Sequence, residues 1–69
     1  MELIPVVSSN LAAVGYDPDN QDLYVRFKNR LNYRYLQVPQ SLFDALMKSS
    51  SKGTFFNDKI KDRFKFVKL

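Results

Sequence analysis

Residues 23–28 read LYVRFK, and this alternation constrains the fold more than any other feature of the chain. Successive side chains of a β-strand point to opposite faces. Leu23, Val25 and Phe27 therefore share one face, and Tyr24, Arg26 and Lys28 share the other. A strand with one apolar and one basic face needs partner strands beside it and a packed layer on its apolar side. Turn formers bound it on both sides. DPDNQD precedes it, and Asn29-Arg30 follows it. Leu11–Tyr16 and about Asn32–Val38 then supply the neighbouring strands, giving an antiparallel meander. The alternate carboxylates of DPDNQD faintly suggest a calcium loop. Asp22 stands where that loop needs glycine and Lys28 where it needs a bidentate glutamate, so the segment is read as a turn.

The second turn decides where Tyr33 and Tyr35 point, because one residue of slip moves every side chain to the other face. A two-residue turn at Asn29-Arg30 puts both tyrosines beside Tyr24, Arg26 and Lys28, where they form a stacking platform. A three-residue turn puts Leu31, Tyr33 and Tyr35 beside Leu23, Val25 and Phe27. Arginine is a poor second residue for a two-residue type I′ hairpin. The longer turn also gathers Arg26, Lys28, Asn32 and Arg34 outside, whereas the shorter one buries Arg34 opposite Val25. The reading therefore favours tyrosines facing inward. The shorter turn stays open, because it alone sends Leu36 and Val38 inward.

Pro39 suits the first turn of a helix, where its missing N–H costs nothing. Leu42, Phe43, Leu46 and Met47 then form one apolar stripe, ending at about Ser49. Ser50 or Ser51 is placed to cap a second helix by accepting a bond from a free backbone N–H. Phe55, Phe56 and Ile60 make its inward stripe, with Phe64 just beyond. Lys52, Lys59, Lys61 and Arg63 lie off that stripe. The tail FKFVKL is a short strand or an extended arm. The expected fold is α+β: a three-stranded antiparallel β-meander followed by two short α-helices packed on one face, with room for a short C-terminal strand. The other face is left open or covered by the termini.

With 69 residues this is one domain with a thin core. It has no cysteine to staple it and no histidine, which removes the usual zinc ligands and the usual general base near neutral pH. No apolar run approaches the roughly 20 residues that span a bilayer, and MELIPVVSSN is too short and acidic for a signal peptide. A cytoplasmic protein with no membrane partner is expected, and a monomer. Net charge is +4, unevenly placed: residues 1–47 carry four Lys/Arg against five Asp/Glu, residues 48–69 seven against two. A local basic excess favours polyanionic partners, though a solvated helix face is its ordinary meaning.

SSNLAAVGYD, LYVRFKN, YRY, VP and SKGTFFNDKI, in that order, resemble the KTSC domain. This small domain occurs at the C-terminus of some lysyl-tRNA synthetases and alone in bacterial and phage-type proteins. The resemblance runs from about Val7 to Phe64, within a single domain spanning residues 1–69. Its matching positions are Ser8 and Ser9, Gly15, Tyr16 and Asp17, Phe27, Tyr33 and Tyr35, Val38 and Pro39, then Lys52, Gly53, Phe56 and Asn57. Arg30 departs from it, since relatives often carry glycine after the asparagine. The resemblance implies no catalytic residue. It implies RNA binding only through the tRNA-handling enzyme to which the domain is attached.

Catalysis is not expected, nor any cofactor or metal. A serine nucleophile with a lysine base would have to come from Ser49, Ser50, Ser51 and Lys52, and a serine run before a helix is ordinarily a cap. SKG lacks the upstream glycine of a phosphate loop, although a helix N-terminus there can hold an anion. Gly53 marks either a close approach by a ligand or backbone or, as favoured, a tight contact between the helices. Asn57 is read as making a local structural bond rather than contacting RNA. The leading expectation is binding of RNA, such as tRNA, or of single-stranded nucleic acid. Tyr24, Arg26, Lys28 and Arg34 on the outer sheet would carry it, joined by Lys52, Lys59, Lys61 and Arg63. The alternative is a protein-interaction module using a sheet edge or a helix surface.

Overall fold

The alternating segment becomes the middle strand of a five-stranded sheet. The computed structural model describes residues 2–69. Its elements are β1 (Ile4–Pro5), β2 (Leu11–Asp17), β3 (Asp22–Phe27), β4 (Asn32–Tyr35), α1 (Gln40–Lys48), α2 (Lys52–Lys59) and β5 (Phe66–Lys68). The strands are hydrogen-bonded in the order β1-β2-β3-β4-β5, each antiparallel to its neighbour. The α+β class and the two helices agree with the sequence reading; the count of three strands does not. β5 is the tail, paired to β4 through Tyr35 with Phe66 and Tyr33 with Lys68. β1 pairs Ile4 with Val14 and Pro5 with Ala13, and two residues are too few to show any periodicity in sequence. No helix among the described residues is long and apolar enough to cross a membrane.

The β3–β4 turn has three residues. The Phe27 N–H donates to the Leu31 carbonyl at 2.9 Å, and the Arg30 N–H donates to the Phe27 carbonyl at 2.9 Å. Arg30 takes a left-handed conformation at φ 71°, the position a bulged hairpin turn usually gives to glycine. The register pairs Val25 with Tyr33 and Leu23 with Tyr35, so both tyrosines face the helix side. Val38 is also fully buried. The conflict anticipated there disappears because β4 stops at Tyr35 instead of running to Val38. Gln37, at φ 57°, then reverses the parity, and the Val38 N–H donates to the Gln21 carbonyl at 2.8 Å.

Leu23, Val25 and Tyr35 from the sheet meet Leu46, Phe56 and Ile60 from the helical side, all buried. Burying such side chains is the main favourable term for a domain this small. Phe56 packs edge-on against Phe27 and Tyr35, with centroids 5.6 and 5.3 Å away. The Tyr16 ring stacks on Phe43 at 4.9 Å, and its hydroxyl donates to the Val38 carbonyl. Burial pushes this phenol's pKa up, with Asp44, Asp17 and Asp22 adding to it. Asp17 closes the DPDN turn, accepting from the Asp19 N–H and the Asn20 side-chain amide. The Asn20 bond chiefly holds its carboxyl below the usual range.

Two local expectations are corrected. Pro39 is the N-cap of α1 rather than a first-turn residue, its carbonyl accepting from the Leu42 N–H at 3.0 Å. Ser51 is the N-cap of α2, but its hydroxyl donates to the Thr54 hydroxyl at 3.0 Å instead of accepting from a backbone N–H. Gly53 does mark a close approach, with a different partner from the one favoured. A Cβ there would lie 2.5 Å from Asn10 Oδ1 and 2.7 Å from Ser8 Oγ. The glycine lets α2 press against the Ser8–Asn10 loop, not against α1. Ser8 Oγ also accepts from the Leu11 N–H at 3.2 Å, so the loop that α2 touches is itself tied down.

Candidate nucleic-acid interface

Alternation that sends Leu23 and Val25 inward leaves Tyr24, Arg26, Asn32 and Arg34 on the outer face. Tyr24 pairs directly with Arg34, and Arg26 with Asn32. Arg26 is exposed, and its Nε donates to Asn32 Oδ1 at 3.0 Å. Leu3 and Leu69 flank these residues, so the termini partly cover this face around a groove of about 270 Å³.

A larger groove, about 820 Å³, adjoins this face. Arg34 from β4, Arg63 from the turns after α2 and Lys65 just before β5 all line it, with Asn20 and Gln37 beside them. Asp22 is the acidic residue in the lining. The Arg34 Nε lies 4.0 Å from Asp22 Oδ2, beyond hydrogen-bond length, and has no hydrogen-bond partner. Buried polar atoms normally find a partner, and this one has only the Asp22 carboxylate nearby, while the rest of the half-buried Arg34 side chain faces the groove. Arg63 is anchored through its Nε, which donates to the Asp58 carbonyl at 3.0 Å. The groove thus offers cations from segments far apart in sequence, held at one place by the β4–β5 pairing.

The sequence-predicted basic residues do not form one surface. Lys52 donates to the Ser49 carbonyl at 2.9 Å, which ties it to the end of α1. Lys28 is exposed in the hairpin turn, and Lys59 is exposed at the end of α2. Lys61 lies on the helix side of the sheet. Only Arg63 of the second-helix set joins Arg34. Gly15 pairs with Tyr24 across the outer face, and Asn57 is exposed on α2. Lys65 was missed, although FKFVKL alternates and its period places Lys65 and Val67 opposite Phe64 and Phe66. Asn20 and Gln37 carried no such signal, since turns between strands bring them in.

On the inner face Phe27, Tyr33, Tyr35 and Phe66 line a further groove of about 340 Å³, with Lys61 and Asp62 at its margin. Tyr35 is 3% exposed, whereas Tyr33 is only partly covered. Burial, then Tyr33 and Asp62, push the Tyr35 phenol up to about 12, so its hydroxyl stays neutral. The choice between tyrosines in the core and tyrosines at a surface was therefore too strict. They face inward, but α2 leaves the Tyr33 end of the sheet accessible.

The sheet edges are short. β1 has two residues including Pro5, and β5 has three including Lys68. Natural sheets use such features to discourage pairing with another strand.

An antiparallel sheet with both helices inserted before its last strand defines a small α+β domain, and comparison with known proteins says which one. The KTSC domain model matches residues 7–64, and the chain belongs to that family. The crystal structure of a KTSC domain protein from Yersinia pestis superimposes with a TM-score of 0.95 at 40% identity, covering 99% of this chain and 96% of that one. An uncharacterised protein of Stutzerimonas stutzeri is 39% identical over 61 residues, covering 88% of this chain and 86% of its own. A lysine–tRNA ligase of Nostoc is 33% identical over 67 residues, which is 97% of this chain but 12% of that enzyme.

Proposed function

We propose that this domain binds single-stranded nucleic acid, RNA in particular, along its outer sheet face. The observation that carries the reading is the convergence of Arg34, Arg63 and Lys65 on one groove beside Tyr24 and Arg26. Phosphates would lie on the arginines and the lysine, Arg34 offering the guanidinium of a side chain that is 37% exposed. Tyr24 supplies a ring for a base to stack on, which is sequence-tolerant because every base has a π-face. The relation to a lysine–tRNA ligase is consistent with an RNA partner. Sequence-specific readout is not part of the proposal, because cations without a base-reading pocket position a strand and do not specify it.

The test is a fluorescence-anisotropy titration with a labelled single-stranded RNA at low and high salt. Binding should weaken with salt, with a slope of about 0.7 for each phosphate contacted. Arg34→Ala and Arg63→Ala should each weaken binding and lower that slope, while Lys59→Ala should change neither. Binding unaffected by both arginine variants, or insensitive to salt, overturns the proposal.

A further inference from the structure

The inner groove is built of rings that touch one another. Tyr33 lies 5.4 Å from Phe27, 6.3 Å from Tyr35 and 5.2 Å from Phe66, centroid to centroid. Phe66 also meets Tyr35 at 5.5 Å. Rings in such contact leave no slot between them, and Phe27 stands at 89° and Phe66 at 49° to Tyr33, so the groove has an uneven floor on which a flat ligand lies against one ring at a time. That decides the class of occupant. A cage for a quaternary ammonium needs rings splayed around a hole, and there is none. A planar ring laid on one face fits, and about 340 Å³ leaves room for it. The polar groups lie at the margin: Asn29 and Asp62 to pair with ring substituents, and Lys61 to hold an anion. Asp62 also repels a phosphate from its own end of the floor.

We infer that the floor formed by Phe27, Tyr33 and Phe66 is a stacking site for one unpaired nucleobase, with Lys61 holding the attached phosphate. The inference rests on the nucleic-acid reading and deepens it. The chain itself supplies the connection. Lys61 and Asp62 line the inner groove, while Arg63 and Lys65 line the outer one. A strand passing over residues 61–65 therefore goes from the cations of the outer groove, past Asp62, to Lys61 beside the inner floor. Asp62 would favour a base that presents an exocyclic amino group, since a carboxylate only accepts. Asn29, whose Oδ1 already accepts from the Leu31 N–H at 3.1 Å, is left to donate its amide to a ring nitrogen.

The test is NMR of the aromatic ring protons and backbone amides, titrated separately with AMP, adenosine, tetramethylammonium and a single-stranded RNA. AMP should shift the Tyr33 and Phe66 ring protons. Tyr33→Leu should weaken AMP binding roughly tenfold, the amide spectrum reporting whether that variant is folded. Lys61→Ala, on an exposed residue, should weaken AMP but leave adenosine unchanged. Equal ring shifts from tetramethylammonium would overturn the inference. So would unmoved ring protons when RNA shifts the Arg34 and Arg63 amides, in which case the outer site stands alone. If RNA moves neither set, both proposals fall.

Discussion

Gly53→Ala tests the packing that joins the two ends of the fold. Gly53 has no positive φ, so its backbone tolerates alanine, and helix propensity alone would reward the change by up to about 1 kcal/mol. Space does not allow it. The new Cβ would sit 2.5 Å from Asn10 Oδ1 and 2.7 Å from Ser8 Oγ. Both atoms are engaged. Ser8 donates to Asn10 Oδ1 at 3.1 Å and accepts from the Asn10 and Leu11 N–H groups at 3.3 and 3.2 Å. Relieving the clash means rotating these side chains away, at about 0.5–1.5 kcal/mol for each bond lost, or shifting α2, at about 1–3 kcal/mol. After a propensity gain of up to about 1 kcal/mol, the net loss by the cheaper route is centred on about 1 kcal/mol. For a domain of this size that lowers Tm by several degrees. Urea and thermal denaturation followed by circular dichroism measure it. Combining Gly53→Ala with Asn10→Ala should recover part of the loss, because it removes the nearest atom, with a coupling of at least about 0.5 kcal/mol. A Gly53→Ala protein as stable as the parent, or more so, would refute the reasoning.

Three further outcomes follow from the fold. Arg30→Gly should stabilise the domain by about 0.5–1 kcal/mol in the same assay, because φ 71° strains any side chain but costs glycine little. Tyr16→Phe should cost about 1–2 kcal/mol, since it leaves the Val38 carbonyl without its phenolic donor. Tyr35 makes stability fall at high pH. Its folded pKa is raised, so its contribution is complete below the ordinary tyrosine pKa near 10 and is lost as pH rises from there through about 12. Tyr35→Phe should flatten that alkaline loss in urea midpoints measured from pH 9 upwards.

The hairpin was legible because two independent signals agreed. Alternation at Leu23, Val25 and Phe27 defined the inner face, and the unsuitability of Arg30 for a two-residue turn, with the cost of burying Arg34, favoured the three-residue loop while leaving the shorter one open. What could not be read depends on contacts remote in sequence. β1 exists only because β2 offers it an edge, and two residues carry no period. The parity change at Gln37 is a single backbone conformation without a glycine to announce it. Gly53 was visible as a close approach, but its partner lies more than forty residues earlier, in the Ser8–Asn10 loop. The basic surface was misjudged for a similar reason. Charge on one helix seemed to define a face, whereas Lys52 turns back to a carbonyl, Lys61 goes to the inner groove and only Arg63 reaches Arg34. Lys65 was readable from the alternation of the tail, once that tail was taken as a strand.

The most direct test of the central claim is an amide NMR titration with a mixed-sequence single-stranded RNA and with tRNA, each at two salt concentrations. The account predicts shifts clustered on Tyr24, Arg26, Arg34, Arg63 and Lys65, shrinking as salt rises. An absence of shifts up to millimolar RNA would contradict it, as would salt-independent shifts confined to the Ser8–Asn10 loop and α1.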